Sequence, residues 1–257
     1  MRFSPLSSRL VGAALLSLCV AGTAVAQSFS PAAPKRHYTS AGKAYFRGPT
    51  RLTFGLGTGY YNGDISSSVS DQFFAPAASL GFLNRYSPHL GLAIEASFAR
   101  VGAKDHLPAR GLAFNTNAYT VAGLMRWYPV ADRTAYAGGG GGPVRVLPFV
   151  QGGLGLTLYS AESYIGVTRT PATNSVLPAE VGSYPDLTIS FPVGAGFTVH
   201  CTDALNLSLE GNYYFLTTDT FDDISKRLSP DGQTRLGNPD KNDAFGTLML
   251  KAEIKLN

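Results

Sequence analysis

Residues 90–101 read LGLAIEASFARV, and the two faces of this stretch decide the fold. In an extended chain Leu90, Leu92, Ile94, Ala96 and Phe98 fall on one side, and Gly91, Ala93, Glu95, Ser97 and Ala99 on the other. Side chains of a strand point alternately to opposite faces, so a period of two with one apolar face marks a strand. The second face is not an ordinary water-facing one. It carries small and hydroxyl residues and one carboxylate, where an exposed strand would carry several Lys and Glu.

The same alternation recurs on both sides of this stretch. In 51–61, Leu52, Phe54, Leu56, Thr58 and Tyr60 oppose Thr53, Gly55, Gly57, Gly59 and Tyr61. In 76–86, Ala78, Leu80, Phe82 and Tyr86 oppose Ala77, Ser79, Gly81 and Arg85. Segment 115–128 sets Tyr119, Val121, Met125 and Trp127 against Ala118, Thr120, Ala122 and Arg126, and 147–160 sets Val150, Leu154, Leu156 and Leu158 against Gln151, Gly153, Gly155 and Thr157. Segment 187–201 opposes Leu187, Ile189, Phe191, Val193, Phe197 and Val199 to Thr188, Ser190, Gly194, Gly196, Thr198 and His200. In 204–216, Leu205, Leu207, Leu209, Tyr213 and Phe215 oppose Asn206, Ser208, Glu210 and Asn212. In 245–257, Leu248, Leu250, Ala252, Ile254 and Leu256 oppose Thr247, Lys251, Glu253 and Lys255.

A soluble sandwich buries its large apolar face and exposes charge, whereas a membrane barrel turns the apolar face to lipid and fills its lumen with small and polar groups. Three features predict the second arrangement. The opposite face is rich in Gly, Ala, Ser and Thr, which suit a narrow lumen. Aromatics stand near the ends of the outward set, at Tyr60, Tyr86, Trp127, Tyr213 and Phe215, where girdles meet the two interfaces. An apolar band of about 25 Å crossed at about 40° needs roughly 33 Å of strand, or about ten residues, which the segments supply. The expected fold is therefore all-β, an eight-stranded antiparallel up-and-down transmembrane β-barrel over 51–257.

Connections support that topology. Links 62–75, 102–114, 161–186 and 217–244 are long and polar, while Ser87-Pro88-His89 and Thr202-Asp203 are tight. Alternate links of an up-and-down barrel lie at one end, and outer-membrane barrels keep their short turns in the periplasm. The link 129–146 breaks the parity because it holds a pentaglycine, Gly138 to Gly142, read here as a flexible insertion. Pro192 lies inside the sixth segment and argues against a regular strand there, since a closed barrel has no edge to accept it.

The chain start reads as an address. Arg2 and Arg9 precede an uncharged stretch from Leu10 to Ala26 that ends in the small-residue pattern Ala24-Val25-Ala26. That order predicts a secretory signal peptide over 1–26. A bilayer-spanning anchor fits less well, because the apolar core is short. Cleavage leaves Cys201 as the remaining thiol of a chain with two Cys, so no internal disulfide is expected. Residues 27–50, with Pro31, Pro34, Pro49 and Lys35-Arg36-His37, read as a flexible periplasmic segment. Composition agrees with an exported barrel. Charged residues make up 15% of the 257, against about 25% in ordinary soluble domains, while 44% apolar content excludes disorder.

These residues also carry a family resemblance. Phe54-Gly55-Leu56-Gly57-Thr58-Gly59-Tyr60-Tyr61-Asn62-Gly63-Asp64, Phe191-Pro192-Val193-Gly194-Ala195-Gly196, and Leu209-Glu210-Gly211-Asn212-Tyr213 with Thr217-Thr218-Asp219-Thr220-Phe221-Asp222-Asp223-Ile224-Ser225 resemble the small outer-membrane β-barrel family widespread in Bacteroidetes. That family includes the barrel component of the type IX secretion system. The resemblance spans about 51–257 and implies an outer-membrane location, a structural or interaction role, and Pro192 as a family feature. The pentaglycine and the Pro-containing tail depart from it, so no partner surface is carried over.

Candidate sites follow from the faces. Glu95, Arg126, Glu210, Lys251, Glu253 and Lys255 are expected inside the lumen, where burial demands pairing. Eight strands leave room for side chains and little else, so structural filling is favoured over a conduit. The four His (His37, His89, His106, His200) lack Ser and acid at triad-like spacing, and no catalytic residue is assigned. Asp219, Asp222, Asp223, Asp240 and Asp243 lack the Gly and Glu of a calcium loop, so no metal or cofactor is assigned; a solvated acidic loop, or one touching lipopolysaccharide through cations, is expected. The expected partners are outer-membrane lipid, lipopolysaccharide and envelope or secretion proteins, around a monomeric barrel. Nucleic acid is not among them. Transport of small solutes or hydrophobic ligands is the alternative role.

Overall fold

A computed structural model of the chain describes residues 37–38, 44–45, 48–63, 68–105, 111–131, 146–172, 174–179, 184–202, 204–224 and 242–256. Residues 1–26, expected to be a signal peptide, the start of the segment 27–50, the pentaglycine, His106 and Asp240 lie outside the described residues. Within the segment 27–50, His37–Tyr38 pairs antiparallel with Ala44–Tyr45.

Eight strands close into one antiparallel barrel: β1 (Thr50–Asn62), β2 (Ala75–Arg85), β3 (Leu90–Lys104), β4 (Leu112–Trp127), β5 (Val146–Ile165), β6 (Asp186–His200), β7 (Leu205–Leu216) and β8 (Ala244–Lys255). Each strand pairs with its sequence neighbours, and β8 closes on β1 from Ala244↔Asn62 to Lys255↔Arg51. Closure removes both sheet edges, so the strands satisfy one another's backbone groups without solvent along nearly the whole ring. Among the described residues no helix is long and apolar enough to cross a membrane.

Polarity is inverted relative to a soluble barrel. Leu56, Ile94, Val121, Leu154, Leu187 and Leu248 are exposed on the outside, while Glu95, Glu210, Lys251 and Glu253 are buried. Leu207, on the outward parity, is nevertheless buried. The aromatics Tyr86 and Trp127 lie at the short-turn end, and Tyr60, Tyr213 and Phe215 near the long-loop end, all on the outward parity.

Three strands run further than their apolar alternation. At about 3.3 Å per residue and about 40° tilt, the 20 residues of β5 rise about 50 Å, twice an apolar band of about 25 Å. Beyond the row Phe98–Tyr119–Leu158 the polarity reverses. Outside stand Arg100, Asn117, Ser160 and Glu162; inside stand Val101, Ala103, Phe114, Tyr159 and Ala161. The loops cover the two flanks of this extension: Phe73 N donates to Gly102 O at 2.8 Å, and Leu177 N to Ser163 O at 2.9 Å. Neither flank is left as an open template for another strand.

Pro192 points inward in β6, where the β5–β6 ladder loses two rungs. Pairing runs to Gly152↔Val193 and resumes at Gly155↔Ser190 in the same register. A residue without an N–H cannot complete the ladder. Opposite the gap, Gly153 lies so close to β4 that a Cβ would stand 2.0 Å from Gly123 O, which only glycine permits.

Candidate functional site

The lumen is the candidate site, and it is filled in three layers. At the short-turn end Tyr128, Leu147 and Phe149 cluster, with the Arg85 guanidinium 3.9 Å over the Tyr128 ring and that of Arg126 3.9 Å over Phe149. Cations over aromatic faces are attracted by the ring quadrupole.

Above this layer the charges meet. Lys251 Nζ donates to Glu95 Oε2 and, at 2.7 Å, to Glu210 Oε1. Arg126 donates from Nη2 to Glu210 Oε2 at 2.7 Å, from Nη1 to Glu253 Oε1 at 3.0 Å, and from Nε to Gln151 Oε1 at 2.9 Å. The result is a chain of alternating sign, Glu95, Lys251, Glu210, Arg126, Glu253. Arg51, from β1, donates to the Glu253 carbonyl at 3.3 Å, so three carboxylates sit with three cations. Ser208 Oγ donates to Glu253 Oε1 at 2.6 Å, and Gln151 Nε2 to Asn212 Oδ1 at 2.7 Å, occupying remaining lone pairs. In a ring of eight, β3 faces β7 and β4 faces β8, so these bonds brace opposite walls. Burying charge is costly unless each ion is paired and hydrogen-bonded, a condition met here. The guanidinium fork, with its donors in one plane, reaches three partners at once.

Lys255 does not join this group. It is exposed at the end of β8, because the strand leaves the lumen after Glu253. Gln151, Ser208 and Asn212 stand on the face the sequence assigns to the lumen, but as uncharged residues they are not singled out there; Arg51 is not assigned at all. Arg51 stands on the inward parity at the first position of the segment 51–61, where the alternation that assigns faces has only begun.

The third layer is apolar. Tyr61, Phe114, Tyr159, Tyr214, Phe221, Ile224, Phe245 and Met249 form one buried cluster near the long loops. Tyr214 stacks on Phe245 at 4.5 Å between ring centroids, and Phe245 on Phe221 at 5.2 Å. Phe221 and Ile224 belong to the loop after β7, so this loop turns back into the mouth. Thr116 Oγ1 donates to Phe221 O at 2.6 Å, and Phe221 N to Asp243 Oδ2 at 3.1 Å.

The acidic loop residues therefore differ from the expectation of solvated carboxylates. Asp222, Asp223 and Asp243 are buried. Tyr61 OH contacts Asp222 Oδ2 and Asp243 Oδ1, both at 2.7 Å; Ser163 Oγ donates to Asp223 Oδ2 at 2.7 Å, and Tyr184 OH to Asp223 Oδ1 at 2.8 Å. Burial, reinforced by the Asp223 carboxylate, pushes the Tyr184 hydroxyl well above the ordinary tyrosine range, keeping it a donor. Among the described residues no three His, Cys, Asp or Glu side chains converge to hold a metal ion. His89 serves its turn: Nδ1 lies 2.8 Å from Tyr128 O.

A closed ring of eight antiparallel strands, apolar outside and charged within, defines the class of small outer-membrane barrels. No protein-family model matches the sequence, and no curated protein matches it. Among solved structures the chain is similar to Neisserial surface protein A, with 12% identity and a TM-score of 0.43 over 80% of this chain and 97% of that one. It is similar to Ail, the attachment invasion locus protein of Yersinia pestis, with 13% identity and a TM-score of 0.42 over 81% and 99%. It is similar also to the outer-membrane enzyme PagL, with 12% identity and a TM-score of 0.37 over 80% and 99%. These likenesses concern architecture, and a barrel by itself assigns no activity.

Proposed function

We propose that the protein is an integral barrel of a Gram-negative outer membrane, exported by residues 1–26, that acts as a closed structural and interaction element of the envelope. One observation carries this reading: the outer wall is apolar while the lumen is occupied by cross-bracing ion pairs below and an aromatic cluster above. A chain so arranged gains by facing hydrocarbon outside, and the side chains described leave little room for a water-filled path inside. Its long loops would meet lipopolysaccharide and external partners, and its N-terminal segment other envelope proteins, a secretion assembly among them. It carries no catalytic role in this reading.

Two measurements test it. Purified protein in planar bilayers and swelling liposomes should pass neither ions in porin-sized steps nor sugars; sustained conductance would replace the reading with solute transport. Co-purification from native membranes in mild detergent should bring defined envelope proteins with the barrel. A barrel recovered alone would remove the interaction role.

A further inference from the structure

Three outward rows of β3, β4 and β5 mark a level on the wall. Phe98, Tyr119 and Leu158 make the last apolar row, with the Phe98 and Tyr119 rings 5.1 Å apart. The next outward row is Arg100, Asn117 and Ser160, and the next Gly102, Asn115 and Glu162. One outward step is two residues, roughly 6.6 Å along the strand, so Arg100 stands at headgroup height if the aromatic row marks the hydrocarbon edge.

A second arginine reaches the same place. The loop after β5 folds back over this outer face: Asn115 Nδ2 donates to Arg169 O at 2.7 Å, and Tyr164 OH to the same carbonyl at 2.9 Å. Arg169 Nη1 donates to Phe74 O at 3.3 Å, and the neighbouring Phe73 N donates to Gly102 O at 2.8 Å, so the Arg169 guanidinium lies beside the strand that carries Arg100. Arg100 Nε is enclosed, yet among the described residues it meets no hydrogen-bond acceptor. Closed to solvent, that atom is equally closed to a ligand oxygen, so the part-exposed Arg100 side chain offers an anion its charge rather than this donor. Nearby charges are Glu162, exposed one row above, and Lys104, whose Nζ lies 4.0 Å from Asp71 Oδ1. Setting that pair aside, two guanidinium groups face one solvated carboxylate.

We propose that Arg100 and Arg169, flanked by Asn117 and Ser160, form a binding site for the phosphate group of an outer-leaflet lipid. Guanidinium groups recognise phosphate through paired, charge-assisted donors, and the apolar row immediately below would receive the lipid's acyl chains. The inference rests on the membrane reading above and adds the lipid class that the long-loop rim selects.

The test uses the full-length protein in detergent micelles, titrated with bisphosphorylated lipid A, with the same lipid stripped of phosphate, and with inorganic phosphate. The phosphorylated lipid should bind the wild type, and Arg100→Gln/Arg169→Gln should weaken that binding by about tenfold or more, since charge-assisted bonds are lost. Dephosphorylated lipid and millimolar inorganic phosphate should bind wild type and variant weakly and alike. Retained heat-modifiable migration on gels checks that the variant is folded; Arg169→Gln alone, in a loop, serves as the milder second variant. Equal affinity of wild type and both variants for phosphorylated lipid would overturn the site, as would phosphate-independent lipid binding or inorganic phosphate binding as tightly as the lipid. A chain that stays soluble without detergent would refute the membrane reading itself, an outcome distinct from any of these.

Discussion

Glu210 accepts from both Lys251 and Arg126 and so links the two halves of the lumen brace. Glu210→Leu leaves two buried cations with one carboxylate fewer, and removing one member of a buried ionic group costs about 3–5 kcal/mol. Urea unfolding in micelles should register that loss, while planar-bilayer conductance should stay at baseline, because a leucine still fills the space. Tyr61→Phe removes hydrogen bonds to Asp222 and Asp243 and should cost about 1–3 kcal/mol, read as faster proteolysis of the loop after β7 in proteoliposomes. On the outer wall, a Cβ at Gly246 would stand 2.0 Å from Tyr60 Cζ, so the ring lies over bare backbone. Gly246→Ala should displace Tyr60 from its place beside the β8 backbone, at about 1–3 kcal/mol by overpacking, with the tyrosine's fluorescence environment altered. Glu95, Arg126, Glu210, Lys251 and Glu253 could be picked out because charges are scarce and parity assigns them inward. Lys255 shares that parity and fails, since parity does not say where a strand leaves the lumen.

At the scale of elements, β1, β2, β6, β7 and β8 were legible almost to their ends, because their outer face stays largely apolar along the strand. The extensions of β3, β4 and β5 fall in the links 102–114 and 161–186 for a physical reason. Once a strand rises clear of the apolar band, its outer face turns polar and its inner face apolar, so an apolar-out template stops matching although the strand continues. Val101, Ala103 and Phe114 keep the period of two with the phase exchanged. The inward turn of the loop after β7 had a weaker signal: Phe221 and Ile224 flank two aspartates, and only tertiary contact tells a buried carboxylate from a solvated one. The interrupted β5–β6 ladder yields a prediction of its own. Pro192→Val supplies the missing N–H and should slow amide exchange at Gly153 and Leu154, with a stability gain of about 1 kcal/mol or less. Unchanged exchange would mean that the gap is held by Gly153 rather than by the proline.

The whole molecule has two interiors of opposite character stacked in one barrel: an ionic brace within the apolar band, and an aromatic core that begins in its upper part and continues to where the outside of β3, β4 and β5 turns polar. Each follows from its surroundings. Within hydrocarbon the apolar residues gain nothing by turning inward, which leaves the lumen to small and charged groups; in water the usual hydrophobic drive returns and packs aromatics inside. The boundary between the two, at Phe98, Tyr119 and Leu158, fixes one edge of the band, and Trp127 with Tyr86 fixes the other. The chain has a single tryptophan, and Trp127 is half exposed on that outer wall. Its fluorescence in vesicles of lipids brominated along the acyl chain is therefore the most direct readout. Bromine near the headgroup should quench Trp127 strongly and aqueous iodide only weakly; quenching by iodide with no response to brominated lipid would contradict a barrel whose apolar wall faces the membrane.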